Sequence, residues 1–138
     1  MILKDKRIFF VEDNVANKTI MLMILEMSGA IVGFERSGAY AVERLKLFAP
    51  VDAILLDLML PAAASGFSVY SAIRAVPELA TVPIIAVSAT NPSEAIPRAK
   101  VLGFAGFISK PVDQQLFPLQ VQRILDGEKL WMIGGIEA

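Results

Sequence analysis

Short apolar runs, each stopping on a polar residue and separated by stretches of helical composition, constrain this chain more than any other feature. "RIFFV" (Arg7–Val11) is a continuous run of strand-forming residues and ends on Glu12 and Asp13. "DAILLD" ends on Asp57, "VPIIAVSA" carries Ser88, and "AGFISK" ends on Lys110. A strand that is apolar at every position has no solvated face, so it must be covered on both sides. Between these runs, Asn14 stands as the N-cap of a helix over Val15–Met27, and Gly29 where that helix stops. "AIVGFE" reads as one more strand, and helical stretches follow over about 39–48, 67–75 and 93–102, with a last one ending near Leu125. Five strands alternating with five helices predict an α/β fold: a doubly wound (βα)5 unit with a five-stranded parallel sheet. Ligands of such sheets bind beyond the carboxyl ends of the strands. Glu12, Asp13, Asp57, Ser88 and Lys110 are therefore expected on one rim.

Composition narrows the chemistry available there. The 138 residues suit one domain, expected over 1–126, with an apolar tail over 127–138 and no effector domain. Thirteen basic against 14 acidic residues leave no basic footprint for nucleic acid. No apolar run approaches the ~18–20 residues that span a bilayer, and the start has no signal-peptide cleavage pattern, so a cytoplasmic protein is expected. Cysteine and histidine are both absent. Thiolate and imidazole metal sites and histidine-based triads are excluded, and carboxylates, hydroxyls and lysines must carry any reaction.

Three carboxylates on one rim repel one another unless a cation joins them. Magnesium suits oxygen donors and commonly takes one or two carboxylates plus phosphate oxygens. Asp13 and Asp57 are expected as direct ligands, with Glu12 holding a metal-bound water and the backbone carbonyl of Met59 filling a further position. Manganese is the alternative ion. Lys110 supplies a positive point charge for an anion and the Ser88 hydroxyl a hydrogen bond. The set suits an incoming phosphoryl group attacked by a carboxylate.

"FFVEDN", "ILLDLMLP", "AVSAT" and "GFISKP" closely resemble the receiver domain of two-component response regulators, over about Ile8 to Leu125. The resemblance implies the flavodoxin-like receiver fold and a stand-alone regulator rather than an enzyme with a separate substrate. It implies that Asp57 accepts a phosphoryl group from a histidine kinase or histidine phosphotransfer protein, that Glu12 and Asp13 are the acidic metal pair, and that Lys110 is the family lysine. Ser88 and Phe107 match the switch hydroxyl and switch aromatic: Ser88 swings toward the new phosphoryl group and Phe107 turns into the space left behind. The Lys110–Pro111 peptide is expected to be cis. Met59 and Thr90 occupy positions where receivers tune the lifetime of the phosphorylated state. A downstream protein target is implied, and a homodimer is left open.

Other features depart from the family or point outward. Gly66 comes one residue later than usual after "AAAS". Pro97 would cost about 3 kcal/mol inside a helix, so the fourth helix is expected to start late, around Ser93–Ile96, or to be distorted. Pro118 is best accommodated near the start of the last helix, after a turn capped by Asp113. In the first helix Asn17, Ile20, Met21, Ile24 and Leu25 line the sheet-facing stripe. Leu22, Met23 and Met27 face outward as an adaptable patch for a partner or for the chain's own tail. Trp131, with Met132 and Ile133, is expected to dock on the domain or on another copy. Two rivals remain: a receiver-like scaffold that binds partners without phosphorylation, and an aspartyl hydrolase of the haloacid dehalogenase kind. The hydrolase wants an acid two residues past the nucleophile, where Met59 stands.

Met59 offers no acid or amide to orient an attacking water, so the phosphorylated state is expected to be long-lived. Loss of phosphate from phosphorylated Met59→Asn, followed by intact-mass spectrometry, should be faster than from wild type; an equal or longer lifetime contradicts this.

Overall fold

The computed structural model describes residues 1–60 and 65–138. The chain runs β1 (Arg7–Val11), α1 (Val15–Met27), β2 (Ile31–Glu35), α2 (Ala41–Phe48), β3 (Ala53–Leu56) and α3 (Gly66–Arg74). It continues with β4 (Ile84–Ser88), α4 (Pro92–Leu102), β5 (Gly106–Ser109), α5 (Leu116–Leu125), β6 (Leu130–Ile133) and β7 (Ile136–Glu137). Among the described residues the strands form one sheet in the order β2-β1-β3-β4-β5-β6-β7, parallel except for β7. The order reverses between β1 and β3, and their carboxyl ends open the rim where the polar residues were expected.

Strand alternation sorts the apolar runs into two cores. Phe9, Val11, Ile54, Leu56, Ile84, Ala86 and Phe107 face α2, α3 and α4. Ile8, Phe10, Leu55, Ile85, Val87 and Ile108 face α1 and α5. The four central strands are apolar at nearly every position because each of their faces is covered.

Two strands were not foreseen. The segment expected as a tail continues the sheet: β6 lies parallel to β5, in register Gly106↔Leu130, Phe107↔Trp131 and Ile108↔Met132. Leu130 and Met132 are buried in the core under α5. Gly106 makes the approach feasible, since a Cβ there would run into the Leu130 carbonyl. The chain then turns at Gly134 and Gly135, a two-residue hairpin, into β7.

The prolines resolve differently from one another. Pro118 lies in the first turn of α5, and Asp113 Oδ1 accepts from the Gln115 and Leu116 N–H groups at 2.9 Å each, as expected. The expected late start of α4 is not seen. That helix begins at Pro92 and carries Pro97 inside it, forgoing the bond that an N–H at 97 would give the Ser93 carbonyl. Caps offset the loss: the Asn91 side chain accepts from Ser93 N, and Gly103, left-handed, returns its N–H to the Ala99 carbonyl. Burial of Ala95, Ile96 and Ala99 holds the helix to the sheet.

In α1 the stripe is narrower than expected. Met21, Ile24 and Leu25 are buried, Asn17 is half-buried, and Ile20 is 50% exposed. The segment after Leu60, where the unusual loop was noted, lies outside the described residues up to Ser65, whose side chain caps α3.

Leu130→Ala is expected to destabilise the fold by about 2–5 kcal/mol in urea unfolding, as a cavity in a true core does. Ile136→Ala, at a position 75% exposed, should stay within about 0.5 kcal/mol of wild type. Near-equal values for the two would show that β6 is not part of the core.

Candidate functional site

Four strand ends meet at one carboxylate. Asp57 directly follows β3, and its backbone N–H donates to the Val11 carbonyl at the end of β1. Gly66 lets the start of α3 close over it, because a Cβ there would collide with the Asp57 and Leu58 backbone. The side chain is nearly buried yet fully occupied. Its Oδ1 accepts from the Met59 N–H at 2.9 Å and from the Ser88 hydroxyl at 3.0 Å, and its Oδ2 accepts from Lys110 Nζ at 3.0 Å.

Lys110 arrives from the far side of the sheet. Its N–H donates to the Ser88 carbonyl at 3.0 Å, which extends the β4–β5 ladder past its last pair. Its ammonium then reaches both oxygens of Glu12 at 2.8 Å as well as Asp57. Glu12 is 2% exposed and also receives the Asn17 side-chain amide at 3.4 Å. Burial first, and then the neighbouring Asp57, push the Glu12 carboxyl up to about 7 against the opposing pull of Lys110. Asp13, one residue on, is exposed.

Glu12, Asp13 and Asp57 each offer an oxygen within 4.8 Å of the others. Three hard oxygen donors from two strand ends, partly neutralised by one ammonium, fit a magnesium or manganese ion. All five residues expected on the rim are thus brought together, and Met59 reaches Asp57 through its backbone N–H.

The remaining expectations fare unevenly. Ser88 is fully buried and its Oγ lies 2.8 Å from Thr90 Oγ1, so Thr90 belongs to the site's hydrogen-bond chain. Phe107 has no exposed starting position from which to turn: it is fully buried in the core under α4 while Ser88 already bonds Asp57. Trp131, expected to dock on the domain or on another copy, docks on the domain: it lies beside Phe107 in the sheet, half-buried, with Lys100 Nζ 5.2 Å from its ring centre. Met23 and Met27 remain 49% and 69% exposed with the final segment docked, and Leu22 is half-buried. That segment is therefore not what covers α1. The Lys110–Pro111 peptide is cis. Asn17 was missed as a site residue, because its place on the helix stripe read as packing. Its position one turn after the cap, just past two acids, was the available signal.

Comparison with known proteins agrees with this geometry. The response regulator receiver domain family matches residues 8–122. The polar-differentiation response regulator DivK of Brucella ovis is 33% identical over 112 residues, covering 81% of this chain and 89% of that protein. The receiver domain of sensor histidine kinase PA1611 from Pseudomonas aeruginosa PAO1 is 30% identical, with a TM-score of 0.79 over 89% of this chain and 99% of that one. It has a magnesium ion coordinated in its active-site cleft. Vibrio cholerae chemotaxis protein CheY4, 22% identical over 87% of this chain and 98% of that one, shares the fold with a TM-score of 0.80. No helix among the described residues is long and apolar enough to cross a membrane.

The raised Glu12 carboxyl has a measurable consequence. Between its ordinary value of 4.5 and about 7, the folded protein keeps a proton that the unfolded chain has lost. Metal-free stability should therefore fall as pH rises through that window and level off above it. Glu12→Gln has no such proton, so its urea-unfolding free energy should lack this decline; the same slope in both proteins would rule out Glu12 as the source.

Proposed function

The chain belongs to the response regulator receiver domain family, and on that premise we propose that Asp57 takes a phosphoryl group from the phosphohistidine of a histidine kinase or phosphotransfer protein. The observation that carries this reading is the division of labour on one carboxylate. Lys110 holds one oxygen of Asp57, while Ser88 and the Met59 N–H hold the other. Donors already aimed at a carboxylate are also placed to receive the charge of a phosphoryl group joined to it.

In the transfer, an Asp57 oxygen forms a bond to phosphorus as the phosphorus–nitrogen bond breaks. The electron pair of that bond stays on the donor imidazole. Asp57 becomes a mixed anhydride, and the negative charge moves outward onto the phosphoryl oxygens. Lys110, already bonded to Asp57, can follow the charge to those oxygens, and the Ser88 hydroxyl can turn from the carboxylate to one of them. Thr90, bonded to Ser88, moves or loses its partner with that turn. Glu12, Asp13, Asp57 and the Met59 carbonyl would hold magnesium, or manganese with the same donors, and the ion supplies further neutralisation of the phosphoryl oxygens. With Phe107 already inside, the change that signals phosphorylation falls on Ser88, Thr90 and the start of α4.

The donor protein must reach the rim. The exposed methionines of α1, Met23 and Met27, together with Leu22, border a shallow groove on that helix. Flexible thioether side chains suit a docking face that accommodates a helical partner. The output is a phosphorylation-dependent protein contact.

Acetyl phosphate with magnesium tests the acceptor directly. Wild type should gain the mass of one phosphoryl group and Asp57→Asn none. A constitutive scaffold would show no gain, and a hydrolase would turn over small phosphoesters instead. Met23→Glu with Met27→Glu should accept from acetyl phosphate as wild type does, and about tenfold more slowly from a protein donor, the loss of about 1.4 kcal/mol of docking. Equal rates from both donors would remove α1 from the reading.

A further inference from the structure

The matched family region ends at residue 122, yet β6 and β7 lie beyond it and reach back to the site. We propose that the β6–β7 hairpin is a latch on the end of β5 that positions Lys110, acting through the hydroxyl of Ser109. The β5–β6 ladder has Ile108↔Met132 as its last pair, and the turn beyond β6 reaches back to the next residue of β5, Ser109. The contact is made through the side chain: the Gly134 N–H donates to Ser109 Oγ at 2.6 Å. On its other side Ser109 pairs with Ser88, and the following N–H, that of Lys110, donates to the Ser88 carbonyl. The strand end is thereby held from both sides at the residue immediately before the lysine.

The latch is itself anchored. β6 is buried against β5 through Leu130 and Met132. Arg123 of α5 reaches Glu128 before the hairpin at 2.9 Å and Glu137 within it at 3.0 Å. A hairpin tied to both β5 and α5 cannot drift without carrying the strand end with it. Lys110 must keep its ammonium within 3.0 Å of Glu12 and Asp57 at once, and its backbone leaves the sheet one residue after Ser109. Fixing that residue restricts the directions from which the side chain can reach. Ser109 is a positioning residue in this account and touches no reacting atom.

The kinetic half of this inference rests on Asp57 being the phosphoryl acceptor; the structural half does not. The test uses the full chain as wild type, Ser109→Ala and Ser109→Thr, with folding verified by circular dichroism. Hydrogen exchange of the Lys110 amide should quicken about 2- to 10-fold in Ser109→Ala, the change that corresponds to one lost hydrogen bond. Amides of β1 and β3 should be unaffected, and Ser109→Thr, which keeps the hydroxyl, should exchange as wild type does. Phosphorylation by acetyl phosphate with magnesium should slow by a similar factor in Ser109→Ala and recover in Ser109→Thr. Unchanged exchange at Lys110, or a threonine variant that behaves like alanine, overturns the latch. Faster exchange with an unchanged phosphorylation rate also overturns it as a positioning device. If wild type takes no phosphoryl group, the acceptor reading fails by itself, and the exchange comparison still decides the latch.

Discussion

Two buried carboxylates share one ammonium, and the rest of the molecule is arranged to keep them there. Glu12 and Asp57 are both buried, and the one ammonium between them is that of Lys110, whose Nζ lies 2.8 Å from both oxygens of the first and 3.0 Å from the second. Such a triad is costly to bury and more costly to break, because removing one member strands the others without a partner. The sheet supplies what the triad needs: three strand ends that cannot move independently, fed by β1, β3 and β5. The apolar character of those strands is thus a condition of the chemistry as well as of the fold. It fixes the register, and the register fixes which side chains arrive together.

That dependence explains why so much of the site was legible in the sequence. A carboxylate at the end of an apolar run is conspicuous, and Glu12, Asp13, Asp57, Ser88 and Lys110 each end one or follow it. Local chemistry was readable too: Asn14 caps α1 through the Asn17 N–H, and Asp113 caps the turn before α5. Asn17 escaped because a residue can pack on a helix stripe and still point its amide at a neighbouring acid. Spacing alone does not separate those roles. Ile20 was misplaced because the helix turns only a narrow face to the sheet, and three buried residues suffice to hold it.

The last strands were harder to read for a different reason. "LWMI" is apolar enough to need a partner, yet an apolar run of four residues does not say which surface takes it, or in what direction. The decisive information sits elsewhere, in Gly106, whose missing side chain leaves room for the Leu130 carbonyl. Pairing between distant segments is recorded by both partners at once, and reading either alone is inconclusive. Pro97 is the converse case. Its local penalty is real, but caps at both ends of α4 and buried alanines beneath it outweigh one absent rung.

Trp131 is the sole tryptophan of the chain. It stands in the seam between β5 and β6, next to Phe107 and under the ammonium of Lys100. An indole so placed is a resident optical gauge of that seam: its emission samples the polarity and packing at the strand that leads to Lys110. Changes in that seam can therefore be followed by ultraviolet fluorescence with no dye attached and no residue replaced.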